Sequence, residues 1–452
     1  MKKEKVDRRH YLFDNKALVA LIIPLIVEQF LAVLVGMADS IMIASVGESA
    51  VSGVSLVDQI MILFISLFAA LATGGAVVAG QYLGMKKEKE ACKASTQLIW
   101  FITIVAVVIM IFIYAGKYFI LHVIFGPIDT DVRAHANTYL MIVAASIPFM
   151  ALYNGGAAIF RAQGNSKISM KISILMNIIN VGGNAILIYG FHRGTEGVAI
   201  PTLVSRAVAA IVVTALLCRQ KYQLHIERSL KYHIDRRMVK RILSIGVPNG
   251  LENSMFQIGK ILVLSLVSGF GTYAIAANAV SSAIATFEIL PGMALGLGMT
   301  TVIARCIGAG DSEQVKYYTK KLMGVSYIGM WVFSIFTLVL LPLIMKAYNL
   351  SEVTADVTTQ IIIFHSICCM LIWPMSFTLP NTLRAAGDAQ TTMWISIASM
   401  WVFRIGFSFI LGKYAGWGVF GVWVAMIIDW CVRSVFMLWR YLSGKWKYKK
   451  TI

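Results

Sequence analysis

The chain has 452 residues, 58% hydrophobic and 14% charged, with a formal net charge of +18. Soluble domains carry about 25% charged residues, and surface area falls too slowly with size for a water-soluble fold to hide this much apolar side chain. Lipid must therefore be the solvent for most of the chain.

Crossing the hydrocarbon takes about 20 apolar residues. Twelve such stretches start near Lys16, Ala50, Cys92, Ala134, Lys167, Val198, Lys240, Tyr273, Gln314, Val357, Thr391 and Gly418. The first carries Glu28 and Asp39, and no small-residue cleavage site follows it, so it reads as a mature span rather than a signal peptide. The longest polar interval, 219–241, follows the sixth stretch. It divides the chain into an N-terminal six-helix lobe (1–220), a linker (221–238) and a C-terminal six-helix lobe (239–452). The expected fold is an all-α integral membrane protein, with twelve transmembrane helices in two pseudo-symmetric bundles around a central cleft.

The basic residues give the orientation. Counted in alternate loops from the N-terminus, 31 of the 40 Lys and Arg fall on one side. Lys117, Arg133, Arg193, Lys346 and Lys413 fall on the other, and Arg206, Lys260, Arg404 and Arg433 lie within spans. Basic residues resist translocation. The pattern predicts a multi-pass protein of the plasma (inner) membrane with both termini and the linker in the cytoplasm. The charge is thus a topology signal, and no nucleic-acid partner is expected.

The halves repeat. Pro24 and Pro248, Glu28 and Glu252, and Gly84 and Gly308 are each 224 residues apart. Arg161 and Arg384, like Gly164 and Gly387, are 223 apart, and Gly197 and Gly418 are 221 apart. Six spans per half means that both halves enter the membrane in the same direction, so the pseudo-axis runs along the membrane normal and substrate is handled between the lobes.

No P-loop, HExxH or GxSxG occurs, which argues against an ATPase or a hydrolase. The six cysteines show no CxxC spacing and read as small apolar residues, so no disulfide, metal site or cofactor is expected.

Ionisable groups in hydrocarbon are costly and mark functional candidates. Glu28 and Asp39 are 11 residues apart, so they share a face of the first helix about 16 Å apart in depth. Glu28 repeats as Glu252, whereas Asp39 maps onto Val263 and breaks the symmetry. Asn177, Asn180 and Asn184 share a face of the fifth helix, where amides can orient a helix 1 carboxylate. Glu288 stands three residues before Pro291, facing either the cleft or a neighbour. These seven residues form the candidate coupling-ion and substrate site. The bland reading of the two glutamates is hydrogen bonding that pins a proline-bent helix. Asp429 and Arg433, spaced i, i+4, most simply pair with each other, and His365 reads as packing. Gly292 and Gly296 form a GxxxG, the mark of close helix contact.

Several motifs resemble those of the multidrug and toxic compound extrusion (MATE) family. Helix 1 reads Pro24-Leu25-Ile26-Val27-Glu28-Gln29 and then Met37-Ala38-Asp39-Ser40. Arg161-Ala162-Gln163-Gly164 and Arg384-Ala385-Ala386-Gly387 are arginine–glycine turns, one per lobe. QYLG and RCIG before charged stretches also fit, and the resemblance spans essentially the whole chain. It implies a monomeric transporter, not an enzyme, that exports amphipathic, often cationic organic compounds in exchange for H+ or Na+. Arg161, Gly164, Arg384 and Gly387 would form a cytoplasmic gate, the arginines holding carbonyls at helix ends. Two departures leave the ion open: Asn184 stands where many relatives have an acid, and helix 10 offers His365, Cys368 and Cys369 in place of an aspartate. A lipid-linked oligosaccharide flippase of the same superfamily is the alternative, favoured by Arg206, Lys260, Arg404 and Arg433 within spans.

Overall fold

The structure, a computed structural model, describes residues 11–227, 233–348 and 350–449. Several basic residues in the charge count lie outside that range. Among the described residues there are twelve long helical bodies, two short helical segments (117–124 and Lys445–Tyr448) and no strand, each long body starting within five residues of its expected position. In the first half these are α1 (Asn15–Ala44), α2 (Glu48–Gly84), α3 (Glu88–Ala115), α4 (Thr130–Ala144 with Ile147–Ala162), α5 (Ser166–Gly190) and α6 (Glu196–Leu217). The second half comprises α7 (Arg236–Ser268), α8 (Thr272–Glu288 with Leu290–Gly308), α9 (Ser312–Tyr348), α10 (Glu352–Ala385), α11 (Ala389–Tyr414) and α12 (Gly418–Leu442).

Ten of the spans are long and apolar enough to cross a membrane, and α4 is an eleventh when its two pieces are taken together. The exception is α7, which carries Asn249, Glu252, Asn253, Gln257 and Lys260 through its middle. A helix this polar at membrane depth must face protein or a water-filled cleft.

Prolines punctuate the spans. The two pieces of α4 meet at 49° just before Pro148. The break in α8 at Ile289 precedes Pro291, and α10 widens into a π turn that starts at Pro374, where Leu379 N donates to Pro374 O at 3.0 Å. Each proline lacks the amide that would continue the ladder. In α1, Pro24 frees the carbonyl of Ala20, and the Ser166 hydroxyl lies 3.3 Å from that oxygen and 2.6 Å from the carbonyl of Leu21. A hydroxyl from α5 therefore serves the carbonyls beside the proline, and Glu28 bonds elsewhere.

The lobes meet on the face that carries the first and last described residues and most of the described basic residues. One cluster of buried apolar residues crosses between them, including Leu21, Val77, Ile242, Leu295, Val302, Ala304 and Leu383. The buried members of the other three clusters each stay within one lobe. On the opposite face the lobes thus have separate cores. At the seam, a β-carbon added to Gly84 would stand 2.1 Å from Arg305 O, one at Gly308 1.9 Å from Gln81 O, and one at Gly74 2.5 Å from Ile242 O. The pseudo-symmetric Gly84 and Gly308 pack on each other. Backbones at this separation tolerate no side chain. Gln81 Nε2 donates to Ala385 O at 2.8 Å across the same seam, and Arg241 donates to the Tyr82 hydroxyl. The start of the chain adds a strap: Phe13 N donates to the Tyr318 hydroxyl of α9 at 2.9 Å, and that hydroxyl donates to Phe13 O at 2.7 Å. At the foot of α7, Lys93 pairs with Asp235 at 2.7 Å, which holds that carboxyl below its ordinary pKa with help from the Met238 amide.

Overpacking a tight contact costs about 1–3 kcal/mol, or roughly a five- to 150-fold shift between two states. Gly308→Ala should therefore open the seam. A cysteine placed at the buried Ile242, in a background without other reactive thiols, should react faster with an impermeant maleimide applied from the basic face. Unchanged labelling would mean that the close approach is not what holds the lobes together.

Candidate functional site

Two ion pairs, one per lobe, repeat the symmetry of the sequence. Arg161 Nη1 lies 3.3 Å from Glu28 Oε1, and Arg384 Nη2 lies 2.6 Å from Glu252 Oε1. Each joins the first helix of its lobe to the fourth. Ser169 Oγ donates to Glu28 Oε2 at 3.0 Å, whereas Glu252 Oε2 is buried without a hydrogen-bond partner. The expectation that the arginines hold helix-end carbonyls is corrected: their bonds go to the two carboxylates, with Asn381 Oδ1 a further acceptor for Arg384. Low-dielectric surroundings explain the preference, because an acid buried beside Arg161 or Arg384 would otherwise stand uncompensated.

Gly164 and Gly387 end helices. They adopt φ of +82° and +89°, and the next amides, of Asn165 and Asp388, donate to Phe160 O and Leu383 O, both at 2.9 Å. This is the 6→1 bond of a Schellman stop, which favours glycine at the left-handed position.

Asp39 and Asn184 are brought together. Asn184 Nδ2 donates to Asp39 Oδ1 at 2.6 Å. Of the other two asparagines, Asn180 Nδ2 donates to Thr202 Oγ1 at 3.1 Å and Asn177 Nδ2 has no partner, so only one of the three touches Asp39. Sequence reasoning missed Asp58 on α2. It accepts a hydrogen bond from the Tyr139 hydroxyl at 3.0 Å and interacts electrostatically with Asp39 and with Arg206 of α6. Its signal was the one that marked Asp39: an isolated acid in an apolar run, Ser55-Leu56-Val57-Asp58-Gln59-Ile60. Arg206 Nη1 donates to Ser146 Oγ at 2.8 Å, beside the bend in α4.

Glu288 faces a neighbour. Fully buried, it lies 2.7 Å from His365 Nδ1 and accepts from Ser366 Oγ at 2.5 Å, both on α10. His365 is boxed edge-on by Trp423 and Trp430. The Cys369 thiol stands with Glu288 and His365 so that their ligand atoms lie within 4.8 Å of one another, a set that could hold a metal ion although none was expected there. Both Glu288 oxygens already have protein partners, which makes a closed hydrogen-bonded knot the simpler reading. Asp429 and Arg433 pair as anticipated, with Nη2 3.3 and 3.2 Å from the two carboxylate oxygens. The glycines of the GxxxG do make close contacts: a β-carbon at Gly292 would meet the Trp373 ring at 2.1 Å, and one at Gly296 the Asn381 amide at 2.7 Å.

Two structurally repeated lobes of membrane-length helices, with acids inside the spans, define a polytopic transporter. The comparisons agree. The MatE family model matches twice, over residues 24–186 and 248–410, and the chain belongs to that family. The two matches are offset by 224 residues, the spacing of the prolines. Similar proteins include an uncharacterized transporter, YisQ, of Bacillus subtilis, 25% identical over 96% of this chain and 95% of its own length. Another is the probable multidrug resistance protein NorM of Thermotoga maritima, 26% identical over 97% of this chain and 94% of its own. A solved structure described as an outward-facing conformation of a multidrug resistance MATE transporter of the MOP superfamily superposes with a TM-score of 0.90, at 20% identity, over 96% of this chain and 97% of that one. Such relatives are transporters, not enzymes.

Breaking a buried ion pair from one side costs about 3–5 kcal/mol, because the survivor is left uncompensated. Arg384→Ala should lower the thermal midpoint in detergent, and adding Glu252→Gln to it should recover much of the loss. A double variant as unstable as the single one would show that the pair is not what Arg384 contributes.

Proposed function

We propose that this MatE transporter exports amphipathic organic compounds from the cytoplasm by alternating access, in exchange for H+ or Na+, with Asp39 and Asp58 carrying the coupling ion. Closure of the lobes on the basic face then corresponds to an outward-facing state. Orientation follows from the charge pattern, which assigns the seam to the cytoplasm.

One observation carries the coupling reading. Of the acids well inside the spans, Glu28, Glu252 and Asp429 are tied to arginines and Glu288 to His365. Among the described residues, Asp39 and Asp58 have no cationic nitrogen within 4.0 Å, though Arg206 acts on both from farther away. Two neighbouring carboxylates cannot both ionise cheaply. With one of them balanced by Arg206, the other is left to take up a proton or a sodium ion and return it. Asn184 can serve either state, since an amide offers both a donor and an acceptor. Its Oδ1 has no partner while Nδ2 is engaged, so it has an acceptor in reserve for a protonated carboxyl or a bound cation.

The driving force suffices. About 2.3 kcal/mol per charge per 100 mV corresponds to more than tenfold accumulation.

In proteoliposomes with pH and sodium gradients imposed separately, Asp39→Asn and Asp58→Asn should each reduce ion-driven efflux at least tenfold while leaving insertion intact. Glu252→Gln should lose stability yet retain its dependence on the gradient. Normal pumping by Asp39→Asn together with a dead Glu252→Gln would move coupling to the C-terminal lobe.

A further inference from the structure

The N-terminal lobe carries its spare charge as acid, and the C-terminal lobe carries its spare charge as base. Phe256 stands one turn beyond Glu252 on the polar helix α7 and has three cations around it. Lys260 Nζ lies 5.1 Å from its ring centroid, Arg404 Cζ 5.2 Å and Arg433 Cζ 6.0 Å. Arg433 also lies 4.7 Å from the centroid of Phe377, whose ring meets Phe256 nearly edge-on at 6.4 Å. The residues come from α7, α10, α11 and α12, so four helices of one lobe converge on the spot.

Negative charge there falls short. Asp429 is fully buried, both its oxygens accept from Arg433 Nη2, and Ser399 Oγ donates to it at 2.5 Å. Glu252 is held by Arg384. Among the described residues, neither Lys260 nor Arg404 has a carboxylate within 4.0 Å. Arg404 is only 9% exposed, and its Nε is buried without a hydrogen-bond partner. Desolvating a cation costs more than a cation–π contact returns. An anion held among these groups would supply what the lobe lacks. Arginine's planar fork suits the paired oxygens of an oxyanion, and the two phenylalanines offer an apolar surface beside it.

We propose that Lys260, Arg404 and Arg433, with Phe256 and Phe377, form a site for the acidic group of an amphipathic ligand: a carboxylate, sulfonate or phosphate on an aromatic or apolar body. The proposal rests on the export reading and widens its substrate class from cations to anions and zwitterions. An anionic lipid headgroup carries the same chemistry and is its other source.

Calorimetry on the full chain in phosphatidylcholine nanodiscs tests this, with naphthalene-2-sulfonate as the anionic probe and tetraphenylphosphonium as the cationic one. Lys260→Gln and Arg404→Gln should each weaken sulfonate binding about tenfold, the loss of one charge-assisted bond of about 1.5 kcal/mol. Phosphonium binding should hold or tighten, which also reports that the variants are folded. Arg433 is left in place, because removing it would strand Asp429. Lys260 is exposed, so its variant carries the test if Arg404→Gln does not fold. Adding phosphatidylglycerol separates the sources: weakened sulfonate binding assigns the site to a lipid headgroup, and unchanged binding to a soluble ligand. No sulfonate binding by the wild type in phosphatidylcholine, or binding within twofold of wild type in both variants, overturns the proposal. Asp39→Asn should still bind the sulfonate, so a failure of the coupling reading would leave this result standing.

Discussion

A charge carried into hydrocarbon must find a partner or a use, and that constraint organises this molecule. Glu28–Arg161 and Glu252–Arg384 meet it in the same way in both lobes, tying the first helix of each to the fourth. The arginine stands in the last turn of α4 or α10, just ahead of a glycine stop that fixes where the helix ends. The acid stands one turn past a proline in α1 or α7. Helix stop, ion pair and helix proline thus form a single device, used twice.

Charges outside the device differ between the lobes. In the N-terminal lobe Asp39 and Asp58 share one distant arginine, with Asn184 and Tyr139 as hydrogen-bond partners. In the C-terminal lobe the imbalance is positive and gathers around an aromatic ring. In the function proposed above, a repeated scaffold with unlike contents serves the coupling ion in one lobe and an oppositely charged group in the other. At the seam, bare glycine backbone at Gly74, Gly84 and Gly308 lets the two halves close tightly around the shared apolar cluster.

How much of this could be read from the sequence depended on the range of each interaction. The twelve spans follow from hydropathy, and the repeat follows from the shared spacing of rare residues such as Pro24 and Pro248. Asp429 and Arg433 are i, i+4, so helix geometry alone brings them together. Glu28 and Arg161, 133 residues apart, meet only because α1 and α4 both pack on α5, and carbonyl capping was the natural local alternative. Asp39 was legible because it breaks the symmetry and matches a family motif. Asp58 carries the same signal, an isolated acid in an apolar run, but only packing brings it within electrostatic reach of Asp39. The three cations of the C-terminal lobe were visible as intramembrane charges, but their convergence on Phe256 depends on the arrangement of four helices.

Alternating access around the glycine seam is the claim that joins these parts. Spin-label distances in nanodiscs test it most directly, with one pair at Ser49 and Tyr273 on the open face and another at Lys89 and Glu313 on the basic face. When pH or a transported cation shifts the cycle, the first distance should shorten as the second lengthens. Two distances that stay fixed while the same preparation transports substrate would contradict the account.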